Sequence, residues 1–207
     1  LSRSQMLSRA RVNTAKLLRI GGIQTIVFGA AASGLSDTML HSQRTAAAKA
    51  ASPVAGTCGQ NLDLALTMAD SSNNGHADPA FDANKIPIAT WALLGIWESW
   101  IPSAVCDQLI VEAKATLSKA RNVWAQVKGP TTAVVATAAR IGWTFTDADS
   151  VMADIGVVIN LRVDPPRVVA EIVYEAVKRW RWKRIELKLP QLAAAGTGRG
   201  ANLAPIW

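Results

Sequence analysis

Between Lys178 and Lys188 the chain reads KRWRWKRIELK, with six cations and two tryptophans in eleven residues. Guanidinium and ammonium groups pair with phosphates, and an indole face stacks on any base, so this composition suits a nucleic-acid backbone. At about 100° per residue a helix here puts Val169, Val173, Ala176, Trp180 and Leu187 on one face. Trp180 is then core, while Trp182 points nearly the other way, with Lys178 and Arg179 one turn before it. Lys178, Arg179, Arg181 and Trp182 are the candidate contacts at this end of the chain. The competing reading is a solvated charged face, with Trp182 packed under another segment of the same protein.

A second cluster lies at the other end. Arg9, Arg11, Lys16 and Arg19, preceded by Arg3, occupy a stretch with no acid before Asp37. It reads as a helix over residues 1–20, ended by Gly21-Gly22, with Arg9, Arg11, Lys16 and Arg19 as candidate phosphate contacts. The pattern is also compatible with a transit peptide, or with a piece cut from a longer chain.

Catalytic chemistry finds little to work with. His41 reads as an exposed helical residue and His76 as part of a linker, and neither has an elbow or metal-ligand spacing nearby. Cys58 and Cys106 sit in no CxxC or Cys/His pattern, which argues against zinc and against a disulfide scaffold. Asp147, Asp149 and Asp154 can be drawn together around a divalent ion, but turn preference explains them better. Asp63, Asp70, Asp78 and Asp82 read as caps and loop residues. GTGRG at residues 196–200 lacks the strand and helix that a dinucleotide fingerprint requires. No catalytic residue, metal site or cofactor is expected.

The bulk composition agrees with a basic folded chain. Its 207 residues are 50% hydrophobic, enough for a core, and 22 Lys and Arg against 15 acids leave a net charge of +7. That balance favours RNA or DNA, or an anionic surface. Reduced cysteines suggest an intracellular setting, the nucleus included. The longest apolar run, residues 86–101, contains Pro87 and Glu98, so no membrane span is expected.

The elements that must position these residues follow from local signals. Ser36 and Asp37 start a helix that Pro53 stops. The apolar run at residues 23–34 fits either a strand or a helix. Residues 62–69 have the spacing of one or two helical turns, and residues 70–79 form a linker and boundary. After it come an apolar helix over residues 86–100, an amphipathic helix from Ser103 to Val127 stopped by Gly129-Pro130, and a shorter helix ended by Gly142. β-branched runs flanking Asp154-Ile155-Gly156 predict a hairpin near residues 150–163. Pro165-Pro166 then open a helix to about Lys188. The expected architecture is mainly α: a multi-helix domain with one small β-hairpin in the C-terminal half. Residues 1–75 form a basic helical subdomain, 76–190 a helical domain and 191–207 a flexible tail.

The succession RIGGIQTIVFGAAASGLSDTMLHSQRTAAAKA, NLDLALTMAD, IATWALLGIWESW, KARNVWAQVKGPTTAVVATAARIGWTF and DPPRVVAEIVYEAVKRWRWKRIELKLP resembles the region downstream of the palm in reverse-transcriptase-type retrotransposon polyproteins. These are of the non-LTR kind abundant in dinoflagellate genomes. The resemblance implies that residues 1 to about 75 correspond to a thumb, which holds the template and primer duplex by its backbone. It also implies that the parent is an RNA-directed DNA polymerase whose YxDD-like aspartate pair lies elsewhere, since no such loop occurs here. The expected function is a non-catalytic C-terminal fragment of a retroelement reverse transcriptase that contacts nucleic-acid backbone, alongside other segments of a polyprotein. The alternative is a helical assembly subunit that docks through its apolar helices.

Overall fold

The computed structural model describes residues 21–22, 25, 27–51, 61–73, 77–97 and 103–191. The expected N-terminal helix with Arg9, Arg11, Lys16 and Arg19, the loop at 56–59, Cys58, His76 and the tail beyond residue 191 lie outside the described residues. Seven α-helices are described: α1 Ala30–Ser33, α2 Asp37–Ala51, α3 Leu62–Asn73, α4 Ala80–Trp97, α5 Ser103–Ser118, α6 Pro130–Arg140 and α7 Pro166–Lys188. A 3-10 helix, Val123–Gln126, follows α5, and strands β1 Thr144–Phe145, β2 Ser150–Met152 and β3 Val158–Asn160 precede α7. The fold is mainly helical with a small antiparallel sheet in its C-terminal half.

Side-chain caps set several boundaries. Ser36 Oγ accepts the Met39 N–H at 3.3 Å to begin α2. Asn61 Oδ1 accepts from the amides of Asp63 and Leu64 at 3.1 and 3.2 Å to begin α3, which runs past the one or two turns that its apolar spacing suggests. The ambiguous run at residues 23–34 contains the short α1, framed by Gly29 and Gly34 at φ +82° and +62°. Gly34 has no room for a side chain, since a Cβ there would lie 2.7 Å from the Trp124 ring.

That contact explains the main difference from the sequence pattern. The amphipathic spacing carries a helix from Ser103 to Val127, yet α5 stops at Ser118. Asn122 then caps the 3-10 turn, its Oδ1 accepting from Ala125 N–H. Trp124 leaves the α5 stripe to pack against Gly34 and under the Arg140 guanidinium, 4.3 Å from its centroid. Tertiary packing of one large ring overrides local helix preference here.

The sheet is a meander of order β1-β2-β3, with Phe145, Val151 and Ile159 in register on its buried face. The hairpin turns at Gly156, φ +79°, as Asp154-Ile155-Gly156 implies. β1, two residues long, carries too little alternation to be read from sequence. At the C-terminal end of β3 the outer edge is met by its own chain: Asn160 N–H donates to Asp164 Oδ2 at 2.8 Å, and Asp164 N–H donates back to Asn160 O at 2.8 Å.

The main core draws on both sides of the anticipated boundary near residue 75, from Val27, Ala30, Leu35 and Leu40 through Ile88 and Trp91 to Val173 and Val177. α4 lies at its centre against α1, α6 and α7. Pro87 sits inside α4, which also starts six residues earlier than its apolar run.

Along α7 the buried residues are Val169, Val173, Ala176, Val177, Arg181 and Ile185. Positions 173, 177, 181 and 185 step by four, which drifts the stripe about 40° per step around the helix. Two expectations change as a result. Leu187, placed on the core face by periodicity, is 84% exposed, and Arg181 takes a core position instead.

Candidate polyanion-contact surfaces

A buried charge network decides what the cations of α7 can do. Arg44 on α2 is sealed from solvent and donates through Nε and Nη2 to Asp78 at 2.9 and 2.7 Å, while its Nη1 lies 2.8 Å from Asp63 Oδ1. From α7, Arg181 Nη1 reaches Asp70 Oδ2 at 2.6 Å and Asp78 Oδ2 at 3.4 Å. Arg184 and Lys188 approach Asp63 Oδ2 at 3.3 and 3.6 Å. Three carboxylates from residues 63–78 thus bind cations of α2 and α7 into one unit. Asp63, Asp70 and Asp78 are therefore more than the caps and loop residues their setting suggests, although Asp78 also accepts the Ala80 N–H and Asp70 the Ala77 N–H.

Aromatic rings line the same network. Trp180 has Arg44 and Arg184 over its ring at 5.2 and 4.9 Å. Phe81 stacks on Tyr174 at 4.4 Å and lies 5.2 Å from Arg181. A low-dielectric setting strengthens each attraction and penalises any unpaired charge.

The titration directions follow. Burial pushes the Asp63 carboxyl up, but Arg44, with Arg184 and Lys188, pulls it below the usual carboxylate range. For Asp70 burial wins over Arg181 and holds the carboxyl above that range. Arg44 is raised, because Asp78 and Asp63 together outweigh its burial.

A second pair ties α7 to the hairpin. Arg179 Nε and Nη2 donate to Asp154 Oδ2 and Oδ1, each at 2.7 Å, and the Trp143 indole N–H donates to Oδ1 at 3.1 Å. The Arg179 hydrogen bonds, with Trp143, hold Asp154 below the carboxylate range against its partial burial. Lys178 pairs with Glu175 at 2.8 Å and lies 4.6 Å from the Tyr174 ring.

The structure therefore divides the α7 candidates. Arg181 turns inward and is 4% exposed, so its expected contact with a polyanion is corrected: the carboxylates of Asp70 and Asp78 occupy it. Arg179 is engaged by Asp154. Trp182 is 45% exposed, and Lys183 beside it is exposed with no ion-pair partner among the described residues.

Several of the remaining sequence candidates have structural tasks, His41 not among them. His41 is exposed on α2. Asp147 Oδ1 accepts the Asp149 N–H at 2.9 Å, and Asp149 pairs with Arg162 at 3.2 Å. Trp91 Nε1 donates to Ala148 O at 2.8 Å, and Cys106 is buried. Among the described residues no three His, Cys, Asp or Glu side chains group to hold a metal ion, and no helix is long and apolar enough to cross a membrane.

Charge is unevenly placed. The described residues contain 16 of the 22 cations and 14 of the 15 acids, so they carry two of the seven excess positive charges. The other five are in the remaining segments, where Arg3, Arg9, Arg11, Lys16 and Arg19 lie within residues 1–20.

The sequence patterns above pass over one more group. Lys119, Arg121 and Lys128 are exposed at the end of α5 and around the 3-10 turn, with no ion-pair partner among the described residues. The signal that finds them is an absence of acids: none occurs between Glu112 and Asp147.

Compared with protein-family models, with curated proteins and with solved structures, the chain matches none.

Proposed function

We propose that this chain is a non-catalytic helical module that contacts a nucleic-acid backbone, chiefly through Arg9, Arg11, Lys16 and Arg19, with Trp182 and Lys183 as a lesser contact on α7. The observation that carries this reading is the separation of charge. The helical body is close to neutral and spends its α7 guanidinium groups on its own carboxylates, whereas residues 1–20 hold five cations and no acid. Cations attract a polyanion by releasing its condensed counterions, and this needs no built pocket. The C-terminal part of a reverse-transcriptase-type retroelement protein is the parent we propose for such a module.

Docking through the apolar run at residues 86–101 has less support. Ile88, Trp91 and Ala92 are covered by helices of the same chain.

The test is a titration of the full chain into a labelled 20-nucleotide RNA and the matching duplex. Four phosphate contacts imply an affinity that falls about a hundredfold between roughly 50 and 200 mM salt. Absent or salt-insensitive binding would remove the reading.

A further inference from the structure

We propose that Lys119, Arg121 and Lys128 form a second, preorganised phosphate-contact site for a nucleic-acid backbone, on the corner where α5 meets the 3-10 turn. This inference rests on the nucleic-acid reading and adds a site within the folded body. The three cations are exposed, none has an ion-pair partner among the described residues, and no acid occurs from residue 113 to residue 146. Elsewhere in the body, Arg44, Lys85, Arg140, Arg162, Arg167, Lys178, Arg179, Arg181, Arg184 and Lys188 pair with carboxylates, and Lys49, Lys114 and Lys183, far apart in sequence, do not among the described residues. The corner thus holds three of the six cations that have no ion-pair partner among the described residues.

Its shape adds a second argument. Thr116, Lys119 and Gln126 line an open hollow of about 390 Å³ together with Ala115 and Ala120, so residues carrying a hydroxyl, an ammonium and an amide border one concave patch. These groups complement phosphate oxygens, which accept from all three.

The base beneath it is fixed. Trp124 is wedged between Gly34 and the Arg140 guanidinium, Asn122 caps the turn, and Lys128 N–H donates to Thr132 Oγ1 at 3.1 Å. Arg140 is itself held by Asp37 at 2.9 Å and by the Leu35 carbonyl. A contact surface that is ordered before binding loses less freedom when it binds.

The experiment compares three forms of the full chain in salt titrations against a labelled 20-base-pair duplex. They are the unaltered protein, a corner variant (Lys119→Gln, Arg121→Gln, Lys128→Gln), and an equally neutralised control (Lys49→Gln, Lys85→Gln, Arg167→Gln). The corner variant should bind at least tenfold more weakly than the control at about 50 mM salt, with a slope of log K against log salt shallower by about 2 to 3. A conservative form, Arg121→Lys with both lysines kept, should bind like the unaltered protein and guards against a folding artefact. Equal affinity in corner and control variants, with the unaltered protein binding well, overturns the corner site and leaves the wider reading standing. An unaltered protein that does not bind overturns both.

Discussion

The Arg44 guanidinium lies against the Asp78 carboxylate at 2.7 and 2.9 Å, with both side chains shut away from solvent. A pair of this kind gives little net stability relative to apolar packing, but removing one member strands the other. Asp78→Asn should therefore destabilise the protein by about 3 to 5 kcal/mol, read from urea unfolding. A loss below about 1 kcal/mol would show that water or another carboxylate replaces the pairing.

The carboxylates also set the acid limb of stability. Asp63 and Asp154 titrate below the usual range in the folded state, so as pH falls the unfolded chain takes up their protons first. Their contribution is present above about pH 4, the unfolded value, and is lost as pH falls through the lower folded values. Asp70 has the opposite sign. Burial holds it above the usual range, so stability declines as pH rises from about 4 through its raised value. In unfolding measured across pH, Asp154→Asn should flatten the acid limb and Asp70→Asn should remove the decline above it.

How much of this was legible in the sequence depends on the range of the interactions. Ser36, Asp154-Ile155-Gly156 and Pro165-Pro166 act on their immediate neighbours, and the helix starts and hairpin they imply are present. Arg181 meets Asp70 across 111 positions and Asp78 across 103, which no local period encodes. Periodicity therefore left it among the surface cations. The early end of α5 was hidden for the same reason, since the cause lies at Gly34 and Arg140.

Two tryptophans should respond oppositely to truncation. Trp143 is 1% exposed, and Trp143→Ala should cost about 3 to 5 kcal/mol by leaving a cavity. Trp182→Ala should leave stability within about 0.5 kcal/mol and weaken binding to single-stranded RNA, where a lost stacking contact costs about 1 to 3 kcal/mol. Denaturant curves and RNA titrations of the two variants check this.

Gly34 is required twice over, by its φ of +62° and by the Trp124 ring beside it. Gly34→Ala should destabilise by more than about 1 kcal/mol and loosen the 3-10 turn, seen as faster amide exchange at Ala125. Unchanged exchange there would mean that the ring does not depend on this contact.

The separation of structural from available charge is tested most directly by the salt dependence of nucleic-acid binding after Arg9→Gln, Arg11→Gln, Lys16→Gln and Arg19→Gln are combined in the full chain. The expected result is a slope of log K against log salt shallower by about 3 to 4 on duplex, with an unchanged unfolding midpoint. An unchanged slope, or an unfolding midpoint that drops as those four charges are removed, would contradict it.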